Sequence, residues 1–225
     1  MYTVRCLASL FSYAIQQIIL CAIDSSDRAL KEPYFPITTS STRGYFEIIT
    51  RRYTSNKTVI LDKVAKLLET LPLGEELAFK TGKYRLDYQG KDDPIRKVSL
   101  LVSGLGITPA LQMLRGVLPG KDSTVEEVEV LWVNEEKADF ICNKEMEMLE
   151  YRYIEKLYVA RTLQSDLYGM DIAKNAKVRE ELTPYEEGRI AVVCGPDYVV
   201  SKARSLFVDL LGYPTDNVMG IVTPS

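Results

Sequence analysis

The chain has 225 residues, a formal net charge of −3 and no histidine. Its length suits one large domain or two small ones, and its balance of apolar and charged residues is typical of a globular protein. The small negative charge and the lack of a lysine and arginine cluster argue against nucleic-acid binding. A catalytic triad, a zinc site or a general base that requires histidine is excluded.

The cysteines are spread along the chain without a C-x-x-C motif, at Cys6, Cys21, Cys142 and Cys194. A chain of this size does not need disulfide bonds for stability, so their spacing favours a reduced compartment. No metal site is predicted from them.

The start of the chain is apolar enough to allow three interpretations. Between residues 7 and 23 the polar side chains are Ser9, Ser12, Gln16 and Gln17. A membrane span is one interpretation, although two adjacent glutamines would be costly within lipid. Arg5 and the lack of acidic residues before Asp24 resemble an organelle-targeting sequence. The sequence favours the third interpretation, an edge strand that follows a disordered start.

Residues 1–90 are predicted to form a truncated antiparallel β-barrel domain with one helix. Strand-like runs lie at residues 18–23, 45–49, 77–80 and 84–86. Leucine spacing predicts the helix over residues 64–71, which Pro72 ends. Strands that surround a single short helix favour a small barrel.

A polar, turn-forming segment at residues 90–94 marks the predicted domain boundary. Residues 97–225 then alternate strands with helices. The predicted strands are 98–102, 128–133, 157–160, 190–194 and 218–222, and the predicted helices are 109–118, 139–151, 172–182 and 198–211. This rhythm predicts an α/β domain with a five-stranded parallel, doubly wound sheet in the order 3-2-1-4-5.

The first strand of the α/β domain ends in a turn that contains Gly104 and Gly106. Glycines allow the backbone to approach a ligand closely. Thr108 is predicted to cap the following helix, and Pro109 fits its first turn. The amino end of such a helix favours a phosphate, although a tight turn that binds nothing is the alternative interpretation.

The fourth strand ends in a second tight turn, Cys194-Gly195-Pro196. In the predicted strand order, strands one and four are neighbours, and their helices leave toward opposite faces. Both turns then flank the crevice in which doubly wound sheets bind nucleotides. The two turns together favour a nucleotide site more strongly than either turn alone.

Five segments resemble the signatures of the ferredoxin–NADP reductase superfamily, and most of all its cytochrome-b5 reductase branch. Residues 103–109 are similar to its G-G-T-G-I-T-P turn, and residues 194–196 to its C-G-P turn. Residues 134–139 resemble N-x-T-E-x-D, residues 145–149 resemble E-L-E-x-L, and residues 86–90 resemble L-x-Y-x-G. The resemblance extends from about residue 15 to the last residue.

This resemblance implies a barrel that holds FAD and a second domain that delivers NADH or NADPH to it. The flavin would pass electrons singly to a haem, iron–sulfur or quinone partner, while the protein sets orientation and electrostatics. Cys194 matches a cysteine near the position of hydride transfer in the family. A small buried residue at a strand end is the alternative for Cys194.

The family's R-P-Y-T-P flavin motif, followed by a small hydroxyl residue, corresponds to residues 32–38. The matching residues are Pro33, Tyr34, Pro36 and Thr38. Glu32 replaces the arginine that pairs with the FAD pyrophosphate in the family, and Phe35 replaces a threonine. A carboxylate at that place reverses the sign of the interaction with the diphosphate.

A second family phosphate motif, G-[KR]-x-S, corresponds to residues 62–65 and is also altered. Asp62 replaces the glycine and Ala65 replaces the serine. Arg51 and Tyr53 match a K-x-Y strand end and remain candidate nucleotide contacts, with an exposed charge beside a strand aromatic as the alternative.

The α/β domain departs less from the family pattern. Ser103 and Leu105 replace a glycine and a threonine near the nicotinamide. The final residues lack the aromatic side chain that stacks on the flavin in many relatives. Only residues 1–14 precede the first matched strand, so we expect a shortened barrel whose open edges other subunits cover.

These observations support two functions. The sequence favours a reductase-like accessory subunit that has lost FAD binding and still has a site for NAD(P)H. An active FAD-dependent NAD(P)H oxidoreductase is the alternative. The expected partners are other protein subunits rather than nucleic acid, with membrane association only through those partners. The acid-poor start favours mitochondria over the cytoplasm.

Overall fold

The computed structural model describes residues 15, 17–23, 29–39, 42, 45–49, 68, 72, 78–82, 95–119, 123–163 and 180–223. Several predictions fall outside these residues: Arg51 and Tyr53, Asp62 and Ala65, the strand at 84–86, the boundary at 90–94, and most of the helices at 64–71 and 172–182. Of those two helices, Leu68 and residues 180–181 are described, and they are helical.

A three-stranded antiparallel sheet forms the described part of the first domain. Its strands are β1 (Ile18–Ile23), β2 (Ala29–Tyr34) and β3 (Ala78–Thr81), with β1 in the middle. The predicted strand at Ile18–Ile23 is therefore confirmed. Across β1, Leu20 lies opposite Glu32 on one side and Phe79 on the other.

Two features of this domain differ from the prediction. Residues 45–49 are not a strand, and the segment is held instead by a hydrogen bond from the Ile37 amide to the Glu47 carbonyl, 2.9 Å long. Strand β2 was not predicted because Lys31, Glu32 and Pro33 have the composition of a turn. Proline is tolerated in β2 because this strand lies at the edge of the described sheet.

The second domain contains the five-stranded parallel sheet that the sequence predicts. Its strands are β4 (Lys97–Ser103), β5 (Glu127–Asn134), β6 (Leu157–Leu163), β7 (Arg189–Gly195) and β8 (Val218–Val222). The order is β6-β5-β4-β7-β8, which is the predicted 3-2-1-4-5. Strands β4, β5 and β7 are almost entirely buried, as expected for strands covered on both faces.

Helices cover both faces of this sheet. The helices are α1 (Ile107–Val117), α2 (Asn143–Arg152) and α3 (Asp197–Ser205), and α3 continues as a π-helical turn at Leu206–Leu210. Helix α1 packs with Leu100 and Val192 on one face, while α3 packs with Leu101 and Val193 on the other. The sheet is therefore doubly wound. No helix among the described residues is long and apolar enough to cross a membrane.

One hydrophobic cluster contains residues of both domains. Phe35 and Ile37 follow β2 and are buried in the same cluster as α1 and the parallel sheet. Two side chains of α1 fix this segment: Gln112 Nε2 donates to the Thr38 carbonyl at 2.9 Å, and Arg115 Nη1 donates to the Ile37 carbonyl at 2.7 Å. Residues 35–38 therefore join the antiparallel sheet to the nucleotide-binding-like domain.

A buried ionic network lies near the amino ends of the parallel strands. The Arg189 side chain is 1% exposed, and its guanidinium lies 3.2 Å from a Glu129 carboxylate oxygen. Glu129 also accepts hydrogen bonds from the amide and the hydroxyl of Thr183, at 2.9 and 2.8 Å, and from Ser99. The positive and negative charges in this network compensate each other. Because the network lies far from the carboxyl ends of the strands, we assign it a structural role.

Candidate functional site

The turn between β4 and the following helix depends on glycine at two positions, and the first of them is Gly104. Gly104 has a φ of +55°, in the left-handed region that favours glycine, and a Cβ at this position would meet no atom within 4 Å. Gly104 and Leu105 are partly exposed, whereas Gly106 is buried. The conformation of the turn, rather than crowding, therefore requires glycine at position 104.

Gly106 is required for a different reason, which is space. A Cβ on Gly106 would lie 2.8 Å from the Gly195 nitrogen and closer still to the Cys194 carbonyl group. On the other side, a Cβ on Gly195 would lie 3.3 Å from the Ser103 carbonyl oxygen. The two glycine turns thus pack backbone against backbone at the carboxyl ends of β4 and β7.

The predicted cap at Thr108 is wrong. Helix α1 begins at Ile107, so Thr108 lies inside the first turn, and its hydroxyl donates to the Leu105 carbonyl at 2.9 Å. The turn itself winds as a 3-10 helix over Gly104–Gly106, which moves the start of the helix toward the amino end. Pro109 lies in the first turn as predicted, and both side chains are buried.

Asn134, at the end of β5, also belongs to this site, although the sequence did not single it out as a site residue. Its Oδ1 accepts the Gly104 amide at 2.9 Å, and its Nδ2 donates to the Asp139 carbonyl at 3.1 Å. The side chain is 2% exposed. An asparagine that ends a buried strand is the signal that identifies it, because a buried amide needs hydrogen-bond partners.

Cys194 is fully buried in the main core at the end of β7. Burial raises the pKa of its thiol to about 12, so the thiol is protonated at neutral pH. Gly195 and Pro196 follow it, and Pro196 precedes the first residue of α3. The structure places Cys194 and Gly195 beside Gly106. The role of Cys194 near hydride transfer stays a prediction, as do cofactor contacts of Gly195 and Pro196.

Of the residues that match the flavin motif, Pro33 is exposed, whereas Tyr34, Pro36 and Thr38 are covered by the chain itself. Tyr34 is 6% exposed and packs with Ile18, Leu20 and partly buried side chains that include Phe46. Thr38 is 7% exposed, its carbonyl accepts from Gln112, and its hydroxyl lies 3.4 Å from the Glu47 amide. Pro36 is also buried. A flavin would reach these side chains only if the segments that cover them moved.

Glu32 lies on the same face of the sheet as Tyr34. The two residues are two positions apart in β2, and side chains alternate along a strand. In the register with β1, Glu32 lies opposite Leu20 and Tyr34 lies opposite Ile18. The carboxylate therefore occupies the face on which the resemblance places the flavin, and this arrangement does not suit a diphosphate.

The residues at the carboxyl edge of the parallel sheet do suit a nucleotide phosphate. Helix α1 is 11 residues long, and its amino end carries the positive end of the helix dipole. The Ile107 amide donates to the Gly104 carbonyl and Pro109 has no N–H, so the dipole and the amides of the glycine turn would provide the attraction for a phosphate. The turn in front of it has no side chain at Gly104 or Gly106 that would keep a ligand away. Such an arrangement can bind an anion through backbone N–H groups.

Comparisons with known proteins place both glycine turns within a known domain family. Residues 100–205 match the model of the oxidoreductase NAD-binding domain family. NADH-cytochrome b5 reductase 3 of Rattus norvegicus is 24% identical over 206 residues, which cover 82% of this chain and 68% of the relative.

Longer proteins match as well. A nitrate reductase (NADH) of Ulva prolifera is 23% identical over 210 residues, and the match covers 84% of this chain but 24% of that protein. The chain therefore spans about a quarter of the length of the curated nitrate reductases that it matches. The crystal structure of the cytochrome b5 reductase domain of the Ulva enzyme has a TM-score of 0.74 at 20% identity, and the match covers 92% of this chain and 84% of that domain.

Proposed function

We propose that this chain, a cytochrome-b5-reductase-like protein with an oxidoreductase NAD-binding domain, binds a nicotinamide nucleotide without FAD and acts as an accessory subunit of a larger assembly. The observation that carries the proposal is a contrast between its two sites. The turns at the carboxyl edge of the parallel sheet keep Gly104, Gly106 and Gly195, whereas a carboxylate lies on the flavin face of the antiparallel sheet.

The packing of the two glycine turns supports nucleotide binding. Gly106 lies so close to Gly195 that the backbone of both turns is held in place before a ligand arrives. Preorganised amide donors at a helix amino end lose little entropy when they bind a phosphate. A nicotinamide nucleotide fits this edge, because the doubly wound sheet offers its crevice at the junction of β4 and β7.

The sign of the charge at Glu32 supports the loss of FAD. Two like charges at about 4 Å repel by about 1 kcal/mol in water and by about 4 kcal/mol in a partly dry site. The repulsion alone would weaken diphosphate binding from about fivefold to about a thousandfold, and the lost attraction of the guanidinium would weaken it further. The burial of Tyr34 and Thr38 by neighbouring segments would also weaken FAD binding.

An accessory role follows if no flavin is held. The flavin supplies the acceptor for the hydride of NAD(P)H in this type of enzyme, so a chain without it has no redox group to pass electrons to a partner. Nucleotide binding would then stabilise the subunit or signal to the assembly, and it would not supply electrons to a partner. We propose protein partners for this subunit and a mitochondrial site of action, with the cytoplasm as the alternative.

The absorbance spectrum of the purified protein tests the loss of FAD. We expect a colourless protein that takes up no flavin when it is incubated with FAD. The variant Glu32→Arg, combined with Phe35→Thr and Asp62→Gly, is expected to gain FAD affinity. Glu47→Arg is the matched control for Glu32→Arg, because it makes the same change of charge at an exposed position outside the strand and should leave flavin binding unchanged.

The second candidate is an active FAD-dependent NAD(P)H reductase. The retention of Tyr34, Pro36 and Thr38 favours it, as does the match of 92% of the chain to a cytochrome b5 reductase domain. A yellow preparation with about one flavin per chain, bleached by NADH, would establish this candidate and refute the proposed loss.

A further inference from the structure

We propose that Asn134 is a positioning residue of the nucleotide site, which holds the Gly104 turn in the conformation that presents the amino end of α1. This inference rests on the proposed binding of a nicotinamide nucleotide. It concerns a side chain that makes its contacts to the protein backbone rather than to the ligand.

Asn134 continues the hydrogen-bonded ladder between β4 and β5 beyond its last backbone pair. The register of the two strands ends with Ser103 opposite Val133. The next residues along the strands are Gly104 and Asn134. Here the side chain replaces the backbone, since Oδ1 of Asn134 accepts the Gly104 amide at 2.9 Å.

Both ends of the Asn134 amide are engaged, which sets its orientation. Oδ1 faces a donor, the Gly104 N–H, and Nδ2 faces an acceptor, the Asp139 carbonyl at 3.1 Å. Asp139 is itself fixed, because its carboxylate accepts the Glu136 amide at 3.1 Å. The amide of Asn134 thus connects the loop after β5 to the glycine turn after β4.

The turn needs this support because no side-chain packing at the Cβ position of Gly104 holds its conformation. No atom lies within 4 Å of a Cβ built on Gly104, so side-chain packing on that side does not fix its φ of +55°. By contrast, close backbone contact fixes Gly106. The Gly104 carbonyl accepts the Ile107 amide within the turn, and the Gly104 amide donates to the Asn134 side chain, which is 2% exposed. The bond to Asn134 therefore ties the start of the turn to the neighbouring strand.

Two variants test this role with NAD+ as the probe, measured by isothermal titration calorimetry at a temperature where near-UV circular dichroism shows the native signal. Asn134→Leu removes both hydrogen bonds, and we expect NAD+ affinity to fall about tenfold or more, as for a buried donor left without a partner. Amide exchange at Gly104 should accelerate at the same time.

Asn134→Asp separates positioning from stability. The ionised aspartate accepts from Gly104 but cannot donate to the Asp139 carbonyl, whereas the protonated acid can do both. Burial should raise the carboxyl pKa. We therefore expect weak NAD+ binding at pH 8 that recovers toward the wild-type value at pH 5, while the wild-type affinity changes little over this range.

Thr162→Val is the matched control. Thr162 lies in β6 opposite Val133, is 2% exposed, and its hydroxyl has no hydrogen-bond partner among the residues that the structure describes. This isosteric change should alter neither NAD+ affinity nor exchange at Gly104. Unchanged affinity in Asn134→Leu, or no pH recovery in Asn134→Asp, would overturn the positioning role. If the wild-type protein binds no NAD+, the proposed function fails as well.

Discussion

A pair of glycines at opposite ends of α1 offers a sharp test of the site geometry. Gly106 and Gly116 can both be changed to alanine, which adds one methyl group in each case. The structure predicts opposite outcomes because the surroundings of the two positions differ.

At Gly106 the added Cβ meets backbone atoms that cannot rotate away. It would lie 2.8 Å from the Gly195 nitrogen and closer to the Cys194 carbonyl group, whereas ordinary contacts begin near 3.4 Å. The two turns must separate by a large fraction of an ångström or more. Overpacking of this kind costs about 1–3 kcal/mol, occasionally more, and corresponds to a melting temperature about 2–12 °C lower for a chain of this size.

At Gly116 the added Cβ meets nothing within 4 Å, and the residue is an exposed part of the same helix. Alanine there should stabilise the protein by about 0.5–1 kcal/mol, because it restricts the unfolded chain and favours the helix. Both variants are measured by urea unfolding and by NAD+ titration. Gly106→Ala should also weaken NAD+ binding, and Gly116→Ala should not. Equal stability of the two variants would refute the close packing of the two turns.

Three other variants or reactions probe the rest of the structure. Arg189→Met leaves the buried Glu129 without its charge partner, so we expect a loss of about 3–5 kcal/mol in urea unfolding; a loss under 1 kcal/mol would contradict the network. Because burial raises the pKa of Cys194 to about 12, native protein at pH 8 should leave this thiol unalkylated by iodoacetamide, as judged by peptide mass spectrometry, until it unfolds. Gln112→Leu removes the donor to the buried Thr38 carbonyl, so the free energy of unfolding should fall by about 1–3 kcal/mol. Amide hydrogen exchange in residues 37–39 should become faster, and unchanged exchange would argue against the link between the domains.

The parallel sheet could be predicted from the sequence because its strands are buried on both faces. Such strands appear as short apolar runs between helices, and the predicted strand at Val218–Val222 has the observed bounds. The close approach of the two glycine turns follows from the strand order, since β4 and β7 are neighbours. The glycines in the sequence indicated where the backbones of the two turns come close together.

The antiparallel sheet was harder to predict for a physical reason. Buried residues in β1 and β2 lie beside partly or fully exposed ones, and every residue of β3 is exposed. The apolar pattern therefore depends on what covers each face. Strand β2 contains Pro33 at a sheet edge, which local propensity assigns to a turn. Residues 45–49 have the composition of a strand, yet contacts with Ile37 and Phe79 hold them in an irregular segment.

Two details of the site depend on tertiary contacts that no local rule contains. Thr108 was expected to cap the helix, but the glycine turn winds into the helix and places Thr108 inside it. Asn134 ends a buried strand, as many polar residues do. Its function is visible only when the turn after the neighbouring strand lies beside it.

Equilibrium dialysis of the purified protein against equal concentrations of FAD and NAD+ tests the central claim most directly. The negative charge on the flavin face and the glycines kept in the two turns predict that the protein retains NAD+ and excludes FAD. Retention of FAD at about one molecule per chain would contradict the account, whatever happens to NAD+.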